Sequence, residues 1–265
     1  MLGAIIGDIV GSRFEWYNRK SKEFELFTAD CRFTDDTVMT LAIGKALLES
    51  AVDYEDLKDK AIFWMQKFGR KYPSAGYGGS FRQWLYTLNP KPYNSWGNGS
   101  AMRVSGCGLV AASLEETVRL SRRVTEVTHN HPEGIKGAEA TAVAIYLAKT
   151  GSSIAEIKDY INRHYYNIDF TLADIRETYR FDVSCQGSVP QALEAFFESV
   201  SFEDAIRNAI SIGGDSDTIG AITGSIAQAY YGIPADIREK AVLFLTAELL
   251  AVLTEFESKY PAKVG

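Results

Sequence analysis

The chain has 265 residues, of which 46% are hydrophobic and 23% charged, with a formal net charge of −6. Such proportions are ordinary for a soluble folded protein, and the length lies near the upper limit for one hydrophobic core, so a single domain over residues 1–265 is expected. The acidic balance weighs against nucleic acid as a general partner, yet leaves small anions open, because backbone N–H groups and metal ions hold phosphates without net positive charge.

The first segment, MLGAIIGDIVG, is apolar but has no basic leader, and Asp8 and Arg13 interrupt it. It fits neither a signal peptide nor a spanning helix, and no other run reaches about 18 uncharged apolar residues, so no membrane partner is expected. Gly3, Gly7 and Gly11 recur at four-residue intervals, as do Gly220 and Gly224. Glycine costs about 1 kcal/mol per helix position relative to alanine, so this spacing predicts close backbone approach between helices rather than ligand contact. Asp8 on an apolar helix must be paired, and a neighbouring helix end or loop is its expected partner. Glu15 lies seven residues on, two turns along if the helix continues. The helical pattern fails there, which leaves Glu15 free either to reach a ligand or to form a surface ion pair.

Apolar periodicity then predicts helices over 35–51, 55–69, 115–127 after a Ser113 cap, 133–149, 153–163, 189–199, 202–211, 217–231 and 235–258. Strand-like alternation is scarce. The fold class is all-α, an orthogonal helix bundle. Between helices, YPSAGYGGSF (72–81) and NPKPYNSWGNGSAMR (89–103) read as loops too long to be simple connections, and such loops tend to be functional. Cys31, Cys107 and Cys185 are far apart and odd in number, which argues against a disulfide framework or zinc site and fits a reducing, cytoplasmic setting.

Two motifs place paired acids at the start of apolar helices: FTDDT, with Asp35 and Asp36 before Thr37, and GGDSDT, with Asp215 and Asp217 before Thr218. Helix capping explains one acid per helix. Two acids in each, with hydroxyls beside them, favour a metal site. Carboxylates and hydroxyls are hard donors, and neither Cys nor His is adjacent, so Mg²⁺, Mn²⁺ or Ca²⁺ suits better than zinc or copper. Several carboxylates converging could not all stay ionised alone, and two divalent cations account for their number. The glycine-rich GYGGS stretch (76–80) lacks the following GK[ST] of a Walker loop, yet its N–H groups can cradle a diphosphate. Trp96 can stack on a base or simply pack. His129 and His131, in THNHPEG, can donate to a ligand or cap the next helix, while nothing singles out His164.

In order along the chain, GDIVGSRFE, FTDDT, GYGGSF, SWGNGSAMR, THNHPEGIKGAEA and GGDSDTIGAITGSIAQAYYGIP resemble the ADP-ribosylglycohydrolases, a family that includes the dinitrogenase reductase-activating glycohydrolases and the ADP-ribosyl-acceptor hydrolases of animals. The likeness runs from about residue 3 to residue 234. It implies an all-α bundle with a two-metal site, Mg²⁺ first and Mn²⁺ second, at one end of the helices. Thr34, Asp35, Asp36, Asp215, Asp217 and Thr218 become metal ligands, and Glu15 and Asp36 become catalytic. The loop Gly76, Tyr77, Gly78, Gly79 and Ser80 resembles the diphosphate-binding loop. Ser95, Trp96, Gly97 and Asn98 resemble the segment that holds adenosine and the terminal ribose, and His129 resembles a ligand-contacting histidine. Arginine-directed members carry an acid near the glycine-rich loop. Here no acid stands between Ser74 and Phe81, which resembles the branch acting on O-linked, serine-type ADP-ribose or ADP-ribose metabolites. The expected partner is an ADP-ribosylated protein or small conjugate, and the expected state a monomer. Two other readings fit clustered aspartates: a silent ADP-ribose binder and a divalent-metal nucleotide phosphohydrolase.

Overall fold

A computed structural model describes residues 1–261. Fourteen α-helices and one 3₁₀ turn make up the regular structure of these residues, with no named strand among them. The helices are α1 (Leu2–Gly11), α2 (Asp35–Glu49), α3 (Leu57–Lys71), α4 (Gly79–Tyr86), α5 (Ser105–Val110), α6 (Leu114–Thr125), α7 (Pro132–Lys149) and α8 (Ile154–His164), then α9 (Leu172–Ile175), α10 (Cys185–Phe197), α11 (Phe202–Ser211), α12 (Ser216–Tyr231), α13 (Ala235–Val242) and α14 (Ala247–Lys259). No helix of the described residues is long and apolar enough to cross a membrane.

At the centre lie α1 and α12. Every residue of α1 is buried, and α12 is buried from Ser216 to Ala229. Their contact follows from the glycines. A Cβ on Gly7 would stand 1.9 Å from the Gly220 carbonyl oxygen, one on Gly3 would stand 2.1 Å from that of Gly224, and one on Gly11 would stand 2.5 Å from the Asp217 Cα. The two backbones therefore touch along three turns, as the spacing predicted. Around this pair, α7, α10 and α11 pack on α12, while α2 packs on α1 and is backed by α3 and α14.

Local chemistry sets many of the boundaries. Ser113, Ser153, Ser184, Ser201 and Thr246 each accept a backbone N–H at the start of their helices, and Ser153 forms a full capping box with Glu156. Three expectations need correction. The predicted 235–258 helix is two helices, broken at Leu243–Thr246 because Thr246 starts a new turn by accepting from Leu249. Helix α10 begins at Cys185, a turn earlier than expected, and contains Pro190. The stretch 72–81 is not all loop: it turns helical at Gly79, and α5 and α9 carried too little periodicity to be foreseen.

Candidate active site

Asp8 organises the site without being exposed to it. Wholly buried on α1, it accepts from the Thr34 amide (2.8 Å) and hydroxyl (2.6 Å), from the Thr37 amide (3.0 Å), and from the Thr37 hydroxyl. This carboxylate on one helix satisfies the first N–H groups of another, the pairing expected of Asp8. It fixes the start of α2 and hence the directions of Asp35 and Asp36. Thr34, the N-cap of α2, is buried, and its hydroxyl is given to Asp8. The helix α1 stops at Gly11, so Glu15 is not on the same helical face as Asp8; it sits half-buried on the following turn.

The second motif is delivered by α12. Gly213 and Gly214 adopt φ of +67° and +80°, a turn that side chains resist, and Asn18 clips it by donating to the Gly214 carbonyl (3.0 Å) and accepting its amide (2.9 Å). Asp215 then faces Asn98, whose amide donates to its Oδ2 at 2.7 Å. Thr218 donates to Asp36 Oδ2 at 3.2 Å, joining two motifs 182 residues apart.

Two overlapping groups of carboxylates result, Asp8–Asp36–Asp217 and Glu15–Asp215–Asp217, each with one oxygen per residue within 4.8 Å of the others. Burial pushes Asp36 and Asp217 well above the ordinary carboxylate range, and their acidic neighbours add to it. Burial pushes Asp35 up to about 8, aided by Asp8. Glu15 is raised by burial and then by Asp215, while Arg32 opposes the rise. Asp215 is raised by burial, against the Asn98 hydrogen bond. Asp36 Oδ1 is buried with no hydrogen-bond partner. An orphaned carboxylate oxygen inside a set of hard oxygen donors fits a bound divalent cation.

A cavity of about 680 Å³ opens from this cluster. Its walls include Glu15, Asp35, Asp36, Asp215, Asp217 and Thr218, together with Gly76, Gly78, Gly79 and Ser80 at the start of α4 and Ser95, Trp96, Gly97, Asn98 and His129. Of the residues foreseen, Thr34 and Tyr77 do not line it. Tyr77 is turned inward against Phe81, with ring centroids 5.7 Å apart. Gly78 and Gly79 have nothing within 4 Å of an added Cβ, so their backbone is open. Gly76, at φ +116°, passes so close that a Cβ there would lie 2.9 Å from Asp35 Oδ1, and Ala75 accepts the Asp35 amide at 2.8 Å. The glycine loop and the acidic cluster thus share a wall. His131 caps α7 by accepting from Glu133, the second of its two expected roles.

Several cavity residues escaped the sequence reading: Trp16, Tyr93, Met102, Arg103, Phe181 and Val183. Phe181 and Val183 arrive from a segment without periodicity, tied to the 96–98 loop by Asn98 donating to the Val183 carbonyl (2.7 Å) and Cys185 to the Trp96 carbonyl (2.9 Å). Trp16 and Phe181, both lining the cavity, stack with ring centroids 5.4 Å apart. No local signal foretells that meeting. Trp16 was readable, as an aromatic following Glu15 where the helix fails.

Helices α2 and α12 begin with the two acidic motifs and bring them to one cavity of an all-helical bundle. A sequence model of the ADP-ribosylglycohydrolases matches residues 1–260, and the chain belongs to that family, whose members hydrolyse ADP-ribose linkages. It is 29% identical to ADP-ribosylhydrolase ARH3 of Homo sapiens, over 88% of this chain and 84% of that one, and 27% identical to the Mus musculus ARH3, over 95% and 88%. It is 27% identical to the ADP-ribosyl-[dinitrogen reductase] glycohydrolase of Rhodospirillum rubrum, over 76% of this chain and 70% of that one. A solved ADP-ribosylglycohydrolase-related protein complex shares the fold, with a TM-score of 0.69 and 23% identity over 97% of this chain and 95% of that one.

Proposed function

We propose that residues 1–265 form one metal-dependent glycohydrolase domain that cleaves the C1″ bond between ADP-ribose and an acceptor, with an O-linked, serine-type acceptor or an ADP-ribose metabolite as the substrate. The observation that carries this reading is the convergence of Asp36, Asp215 and Asp217 at the end of the cavity, with Asp36 Oδ1 buried and unpartnered. Asp35, Asp36, Asp215, Asp217 and Thr218, with Thr34 behind them, would hold two divalent cations, Mg²⁺ before Mn²⁺. Such ions supply a grip on sugar hydroxyls and a more acidic bound water.

The chain's own residues do the rest. The open N–H groups of Gly78, Gly79 and Ser80 at the start of α4 are placed to take the diphosphate. Trp96, 51% exposed at the cavity wall, offers a face to the adenine, and Ser95, Gly97, Asn98 and His129 line the way to the ribose. Tyr77 serves the loop from beneath. Held at both ends, the sugar presents C1″ to the acidic cluster. Glu15 handles the proton: the C1″–O bond breaks, the departing oxygen takes the proton of Glu15, water supplies hydroxide to C1″, and its remaining proton returns to Glu15. Asp36 is the second catalytic residue. Selection of an O-linked acceptor is supported by the lack of any acid between Ser74 and Phe81.

The test is a panel of serine-linked, arginine-linked and nucleic-acid-linked ADP-ribose, each with Mg²⁺ and with chelator. Free ADP-ribose from the serine-linked substrate with Mg²⁺ is the expected result. Release of AMP or phosphate instead would make the protein a phosphohydrolase, and binding without any release would make it a silent binder.

A further inference from the structure

Arg103 is 1% exposed, and no carboxylate meets its guanidinium among the described residues. Its Nη2 donates to the Val124 carbonyl (3.3 Å) and to Thr128 Oγ1 (2.7 Å). Arginine only donates, so this bond occupies a lone pair of the Thr128 hydroxyl and leaves the hydroxyl proton to be given elsewhere. Two acceptors are in reach. The Thr125 carbonyl is 3.4 Å away, long for O–H···O, and it already takes the amides of Thr128 (3.2 Å) and His129 (2.9 Å). His129 Nδ1 lies at 2.7 Å. The hydroxyl proton therefore goes to Nδ1, and a neutral ring must carry its own proton on Nε2. The ring is neutral because burial holds its pKa well below the ordinary histidine range, with the Arg103 charge adding to it.

We propose that Arg103 and Thr128 are positioning residues that fix His129 as an Nε2–H donor aimed into the substrate cavity, which makes His129 a ligand-orienting hydrogen-bond donor and neither a general base nor a metal ligand. Nε2 is the ring atom nearest the 97–99 turn, 3.5 and 3.6 Å from where Cβ atoms of Gly97 and Gly99 would stand, and all three residues line the cavity. Its partner is an oxygen acceptor, a hydroxyl or phosphate oxygen of bound ADP-ribose; that half of the proposal rests on the functional reading above. Loop and relay form one unit, since the Tyr93 amide donates to the Thr128 carbonyl at 3.1 Å and the Asn94 amide to Asn130 Oδ1 at 2.8 Å.

The chain has 3 histidines, so nitrogen-15 labelling with His131→Gln and His164→Gln variants assigns the ring signals. In ligand-free protein at pH 7, His129 is expected to show a protonated Nε2 and an unprotonated Nδ1. Thr128→Val removes the hydroxyl at nearly constant volume and is expected to move the Nδ1 signal and admit the other tautomer, while Thr128→Ser restores the wild-type spectrum. In calorimetry with ADP-ribose, Thr128→Val is expected to bind about five- to tenfold more weakly, the loss of one aligned hydrogen bond, and Thr128→Ser within about twofold of wild type. A wild-type ring protonated on Nδ1 or on both nitrogens, or a Thr128→Val spectrum identical to wild type, overturns the relay. An expected ring spectrum in a protein that does not bind ADP-ribose overturns the reading of the cavity and supports the tautomer.

Discussion

The acidic lining of the cavity and its glycine-rich lining are built on opposite plans. Around the acids, α1, α2 and α12 leave no freedom: glycine backbones touch, Asp8 satisfies four donors at the start of α2, and Thr218 bonds Asp36 across 182 residues. Along the rest of the lining, Gly78 and Gly79 have no neighbour within 4 Å of an added Cβ, and Trp96 is half exposed. The first region is over-determined by packing, as the proposed reacting groups would require, and the second is open, as the proposed ligand site would require. Substitutions in the two should therefore separate chemistry and stability from affinity.

The largest effect is expected at the acids. Asp35→Ala and Asp217→Asn should abolish ADP-ribose release while far-UV circular dichroism stays helical. Full turnover in either variant, after metal is removed and returned, would contradict their place as ligands. Next comes a paired glycine test. Gly7→Ala puts a methyl 1.9 Å from the Gly220 oxygen, which should cost about 3 kcal/mol or more and lower the melting temperature by roughly 6–12 °C. Gly79→Ala meets nothing within 4 Å and should melt within about 0.5 kcal/mol of wild type while binding ADP-ribose more weakly. Equal melting of the two variants would erase the contrast between the regions.

A pH dependence follows from Asp35, whose carboxyl is pushed by burial from 3.8 up to about 8. The folded state then holds a proton that the unfolded chain has released, so this group's stabilisation is complete below about 4 and is lost as pH rises through about 8. In chelator, the difference in melting temperature between wild type and Asp35→Asn should widen in the variant's favour from pH 5 to pH 8. A difference that does not change with pH would remove the burial argument for a cation. Smaller still is Trp96→Ala, expected to weaken ADP-ribose binding about tenfold by the loss of one stacking face, with little change in melting.

What could be read from the sequence follows the same division. Paired acids before apolar helices and glycines at four-residue spacing are local signals with a single physical cause each, so the helical class, the close approach of glycine-bearing helices and the meeting of FTDDT with GGDSDT were legible, though not that α1 and α12 would be each other's partner. Asp8 could be read as a structural partner, because a charge on an apolar helix has no cheap alternative. Asn18, Phe181, Val183 and the Arg103–Thr128 relay were not legible. Each acts on a residue remote in the chain, and neither composition nor period records which loops will touch. Thr34 and Tyr77 show the converse: their motifs were visible, but only the packing turns one hydroxyl to Asp8 and one ring into the core.

The cavity is proposed to bind metal and to free ADP-ribose from an oxygen-linked acceptor. The most direct test is release from a serine-linked ADP-ribosyl peptide, followed with Mg²⁺ and after exhaustive chelation. Intact ADP-ribose is expected as product with Mg²⁺, none after chelation, and recovery when Mg²⁺ is returned. Undiminished release in chelator, or AMP in place of ADP-ribose, would contradict it.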